Sequence, residues 1–125
     1  MPDSEFKLSQ IGVIMLGVKD AKRSLEFYRD KLGLGVTSSF EGFAFLGTTG
    51  ATLVLSEPLA RHASATVGAI EVVFSVPDVR AAYEALRGRG VEFVNEPRAV
   101  SGATWAANFR DPDGHTLSIY GPERA

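Results

Sequence analysis

Two stretches of the chain are written in the same grammar, and that repetition limits the fold more than any other feature. Residues 11–33, IGVIMLGVKDAKRSLEFYRDKLG, and 70–90, IEVVFSVPDVRAAYEALRGRG, each run from an apolar segment through an aspartate into an amphipathic segment that ends at glycine. Asp20 and Asp78 lie 58 residues apart, while Gly50 to Gly114 and Pro58 to Pro122 both span 64, so the copies differ by a few loop residues. A unit of this size, present twice in tandem, reads as one supersecondary module that buries its apolar side with its copy. The 125 residues suffice for one compact domain built from both.

Within the first module Ala21, Leu25, Tyr28 and Leu32 recur at helical spacing behind a capping Asp20 and stop at Gly33. Val79, Ala82, Tyr83 and Leu86 do the same behind Asp78, ending in the Gly88 to Gly90 region. Three strand-like stretches follow each helix: GVTSSF, GFAFLG and ATLVLSEP, then VEFVNEP, TWAANFRD and HTLSIYGP. The expected fold is α+β, with two tandem βαβββ modules at about 8–58 and 68–122 and a polar, Ala-rich linker over about 57–67.

Alternation assigns the faces of the strands. Ile14, Leu16 and Val18 belong under the first helix and Val72, Phe74 and Val76 under the second, with Leu53, Leu55, Leu117 and Ile119 on the same packed side. The opposite face carries Val13, Met15, Thr52, Val54 and Ser56 in one module, and Glu71, Val73, Ser75, Thr116, Ser118 and Tyr120 in the other. Slipping one residue would bury Glu71 beneath the helix, so the register is well specified.

Composition removes several functions. A net charge of -2 and a pI of about 5.7, with no cluster of Lys and Arg, give no field for nucleic acid. Without cysteine there is no disulfide, thiolate metal site or cysteine nucleophile. The longest apolar run, IGVIMLGV, has eight residues against the roughly 18 that span a bilayer, so no membrane partner is expected. The segment MPDSEFKLSQ lacks the apolar core of a signal peptide, and a cytoplasmic location is expected. No P-loop, dinucleotide fingerprint, GxSxG or HExxH occurs. A small molecule and a second copy of the chain remain as partners.

The segments VKDAKRSLEFYRDKLGL, FSVPDVRAAYEALRGRGVEF and FRDPDGHTLSI, in this order over residues 10 to 122, resemble the vicinal oxygen chelate superfamily of glyoxalase-like enzymes, extradiol dioxygenases and bleomycin-resistance proteins. The resemblance implies curved mixed sheets forming a cup-shaped site on the concave face, often completed by a homodimer. It also implies, in metal-dependent members, His and Glu ligands on the first and last strand of each module. Those positions fall here on Val13, Val54, Glu71 and Ser118. Two valines and a hydroxyl beside one carboxylate do not make the three or four N/O donors a divalent metal needs. His62 lies in the linker and His115 has the parity of Leu117, so neither completes the set. No metal or other cofactor is expected.

What remains is a cup whose ligand would meet Met15, Val54, Asn108, Arg110, Ser118 and Tyr120, with Glu71 as its carboxylate. Glu71 is suited to hold a cationic or donor group, to act as general acid or base, or to pair at the rim with a cation such as Arg110. Asn108 and Arg110 share a face of their strand, where Arg110 can orient a carboxylate or enolate. Trp105 offers a ring for stacking on a planar ligand, although its parity groups it with Phe109 on the core side. The leading expectation is a metal-independent small-molecule binder. The alternatives are a lyase or isomerase using Glu71 as base and, third, a metal-dependent lyase or dioxygenase with unusual ligands.

Overall fold

The computed structural model describes residue 7, residues 9–62 and residues 70–125. Each module forms its own four-stranded mixed sheet. The first contains β1 (Val13–Gly17), β2 (Gly35–Phe40), β3 (Phe43–Gly47) and β4 (Thr52–Ser56), ordered β1-β4-β3-β2. The second repeats this order as β5-β8-β7-β6, from β5 (Glu71–Ser75), β6 (Arg98–Ser101), β7 (Thr104–Arg110) and β8 (Thr116–Pro122). In both, the first strand runs parallel to the last and the other pairs are antiparallel. Register shifts between Val36 and Ser38, and between Ala99 and Ser101, put a bulge in each outer strand. Such bulges bend and twist a sheet.

The helices cross one face of each sheet. Helix α1 (Ala21–Glu26) starts at Asp20, whose carboxylate accepts from the Lys22 and Arg23 N–H groups, and α3 (Val79–Gly88) starts at Asp78, which accepts from Ala81 N–H. As the spacing predicted, α3 buries Val79, Tyr83 and Leu86. Helix α1 departs from expectation by continuing into a π-helical turn over Phe27–Lys31. Ala21 and Tyr28 are buried as the spacing predicts, but Ser24 and Phe27 are buried as well, while Leu25 and Leu32 are only half-buried; the π turn, with its extra residue per turn, rephases the residues after Glu26.

Two further expectations need correction. The stretch 91–97 is not a continuous strand: its only ladder pairing with β7 is the isolated Phe93–Phe109 bridge, beside the Val94 N–H to Asn108 carbonyl bond, and β6 begins after Pro97. Proline has no N–H to give a ladder, and Val91, Phe93 and Pro97 turn inward instead. The linker expected at about 57–67 opens with helix α2 (Glu57–His62), and the remainder, from residue 63, lies outside the described residues. Glu57 reaches back to accept from Ala21 N–H at 2.8 Å, tying α2 to the start of α1.

A single core joins the helix-bearing sides of both sheets, with Leu16, Val18, Tyr28, Leu46 and Leu55 from one module and Val79, Leu86, Phe109, Leu117 and Ile119 from the other. Among the described residues no helix is long and apolar enough to cross a membrane.

Candidate functional site

Because both helix-bearing faces share one core, the opposite faces of the two sheets remain open on its outside. On the second sheet, strand pairing sets Asn108 beside Ser118, Arg110 beside Thr116, and Ser118 beside Val73. Asn108 is the hub of this face. Its Oδ1 accepts from Asn95 Nδ2 at 3.0 Å and from Arg98 Nη2 at 3.3 Å. Two donors on that oxygen fix the amide orientation, and its Nδ2 donates to Glu71 Oε2 at 2.7 Å. Asn95 Oδ1 also accepts from the Asn108 backbone N–H at 3.0 Å. Glu71 is exposed, and its partner is Asn108, not the Arg110 that strand parity suggests. Neither Asn95 nor Arg98 carries a periodic signal in the sequence, because they lie in the irregular 91–97 segment and just after it.

The first sheet presents a different face. Met15 stands opposite Val54, Val54 opposite Phe45, and Phe40 opposite Phe43. The Phe40 ring lies 5.2 Å from that of Phe43 and 5.7 Å from that of Phe45, centroid to centroid. Val54 is fully buried although it stands outside the hydrophobic core cluster, as expected for a central-strand residue covered by its sheet neighbours. Ser118, its counterpart in the second module, is likewise buried, whereas Met15 and Tyr120 are exposed.

The residues expected to form one site therefore fall into two groups. Glu71, Asn108, Arg110, Ser118 and Tyr120 share the second open face; Met15 and Val54 share the first. Among the described residues no strand pairing or hydrogen bond joins the two open faces. Trp105 belongs to neither: it packs against the core, and the Arg80 guanidinium of α3 sits 5.2 Å from its ring.

The donor set does not fit the metal implied by the resemblance. Val13 and Val54 offer hydrocarbon, Ser118 a neutral hydroxyl, and one oxygen of Glu71 is engaged by Asn108. No group of three His, Cys, Asp or Glu residues suited to a metal occurs among the described residues. His115 is committed elsewhere, its Nε2 lying 2.7 Å from the Gly17 carbonyl oxygen.

That histidine is part of a turn locking the modules together. Asp113 accepts from Lys19 N–H at 2.9 Å and from the Ser24 hydroxyl at 3.0 Å. Asp111 accepts from the Tyr28 hydroxyl at 2.8 Å and from the N–H groups of Asp113 and His115. Burial, and next the Asp111 carboxylate, raises the Tyr28 hydroxyl pKa far above the ordinary tyrosine value.

The geometry agrees with known proteins. A family model described as Glyoxalase/Bleomycin resistance protein/Dioxygenase superfamily matches residues 10–119. The uncharacterized protein YraH of Bacillus subtilis (strain 168) is 33% identical over 129 residues, covering 91% of this chain and 97% of its own. A solved glyoxalase/bleomycin resistance protein/dioxygenase from Nocardioides superposes with a TM-score of 0.79 at 24% identity, covering 94% of this chain and 85% of the other. TnmS3, an antibiotic binding protein from Streptomyces sp. CB03234, gives a TM-score of 0.78 at 22% identity, covering 94% and 99%. At these identities the two structures show a shared fold.

Proposed function

Because the chain belongs to the Glyoxalase/Bleomycin resistance protein/Dioxygenase superfamily, we propose that it binds a small organic ligand, without a divalent metal, between an apolar half-site and a polar half-site. The observation that carries this reading is the wiring of Glu71. Arg98 and Asn95 orient Asn108, Asn108 holds one carboxylate oxygen, and among the described residues no hydrogen bond engages Oε1, which suits it to accept from a cationic or donor group. Phe40, Phe43, Phe45 and Met15 supply the hydrocarbon that suits the body of such a ligand. That a protein of the same fold is an antibiotic binding protein supports binding as a use of this scaffold.

The two half-sites lie on separate open faces of one chain, so the proposed cup forms in a homodimer, the apolar face of one protomer meeting the polar face of its partner. Exposed Val13, Met15, Phe40, Val73 and Tyr120 on those faces favour burial by a second copy. Sedimentation showing only the 13.4 kDa monomer at tens of micromolar would count against this arrangement.

Native mass spectrometry of the expressed protein identifies a retained ligand, and titration with Glu71→Gln then tests the reading. Binding through Glu71 predicts a loss of roughly 1 to 3 kcal/mol, the scale of a charge-assisted hydrogen bond. The Glu71 carboxylate also suits a general base. In that case the substitution leaves affinity intact and lowers a rate by ~10²-fold or more. Stoichiometric Ni, Zn, Mn or Fe in protein purified without added metal overturns the metal-independent reading.

A further inference from the structure

We propose that the apolar cleft between the end of the π-helical turn and α3 is a second small-molecule site, separate from the open faces, that takes an amphiphilic monoanion. The cleft has a volume of about 310 Å³, and its walls include Leu34, Phe74, Leu86, Phe109 and Ile119. Among the described residues its single charged lining residue is Arg89, and no carboxylate lines it. Protein interiors contain few voids larger than a water molecule, and small-ligand sites occupy roughly 300 to 1,000 Å³ with mostly apolar walls and a few placed polar groups. This cleft sits at the lower end of that volume range and has such a lining.

The charge at the mouth selects the ligand. Arg89 Nη1 donates to the Lys31 carbonyl oxygen at 3.1 Å, which holds the guanidinium at the junction of the modules. A guanidinium has five N–H donors, so the others stay available to an anion. A neutral apolar molecule gains only burial in this cleft; a carboxylate or sulfonate with a short apolar body gains the guanidinium as well.

Octanoate and 1-octanol are the probes, followed by methyl NMR on the full chain. Octanoate is expected to shift Leu34, Leu86 and Ile119 and to leave Met15 and Val54 unmoved. Arg89→Ala should weaken octanoate about three- to fivefold, the scale of an exposed ion pair, and leave 1-octanol unchanged. Ala82→Phe, which narrows the cleft, should abolish binding of both probes. Arg89 is exposed, so its variant remains informative if Ala82→Phe does not fold. Glu71→Gln should not alter octanoate binding, which separates this site from the open faces. Shifts confined to Met15, Val54 and Val73, no binding of either probe, or an octanoate affinity indifferent to Arg89→Ala would each overturn the assignment.

Discussion

At equivalent turns the first module places Thr48-Thr49-Gly50-Ala51 and the second Asp111-Pro112-Asp113-Gly114-His115. Gly50 and Gly114 both have positive φ, 107° and 89°, so the backbones solve the same problem with the residue that tolerates that conformation. The side chains do different work. Thr48 bonds within its own turn, to the Ala51 carbonyl, whereas Asp111, Asp113 and His115 cross to Gly17, Lys19, Ser24 and Tyr28 of the other module. The open faces diverge in the same way, aromatic in the first module and wired around Asn108 in the second. Duplication constrains the side of each sheet that must pack, and leaves turns and open faces free to specialise.

The largest expected effect breaks the second module at a position where the first has a different solution. A Cβ on Gly121, whose φ is 154°, would run into the Val76 backbone carbonyl. The equivalent residue 64 positions earlier is Glu57, which begins α2 and holds α1. Gly121→Ala should therefore cost about 3 kcal/mol or more, read as a shift in the urea midpoint.

Asp111→Ala comes next. It strands the Tyr28 hydroxyl and two backbone N–H groups, and should cost about 2 to 3 kcal/mol in the same measurement. Tyr28→Phe should cost about 1 to 2 kcal/mol, because the buried carboxylate then lacks one donor.

The tyrosine variant also changes the alkaline limb. The folded Tyr28 holds its proton more tightly than the unfolded chain does, so its contribution is full below the unfolded pKa of about 10. Above that pH the unfolded state ionises first, and stability falls by about 1.4 kcal/mol per pH unit from this group. Subtracting the pH profile of Tyr28→Phe from that of the wild type should isolate this slope; equal slopes above pH 10 would contradict it. The smallest effect sharpens the comparison: Thr49→Ala, at the position equivalent to Asp113, should stay within about 0.5 kcal/mol of wild type.

Much of this architecture is legible in the order of residues. Strand alternation and helical spacing place Leu16, Leu55, Val79, Tyr83, Leu86, Leu117 and Ile119 in the core, and the two capping aspartates mark both helix starts, because those signals are local and have fixed periods. The same alternation sets Glu71, Asn108 and Ser118 on one face. Residue order alone dictates the duplicated module, the packed side of β3, β4, β7 and β8, and the residue types at the four positions where a metal would need donors; Ile14, which alternation puts under the first helix, is exposed.

What those residues touch depends on how the chain packs. At the π-helical turn Phe27 is buried beside the expected Tyr28, while Leu25 and Leu32, which the spacing puts on the packed face, stay half-buried. Pro97 displaces a strand and leaves Asn95 and Arg98 beside Asn108, where alternation gives no reason to look. Asp111 and Asp113, which read as ordinary turn residues, become the lock between modules through partners more than 80 positions away in the chain. The physical reason is range: periodicity reports which way a side chain points from its own backbone, but a hydrogen bond between distant segments exists only after loops and cores have fixed their separation to within a few tenths of an ångström.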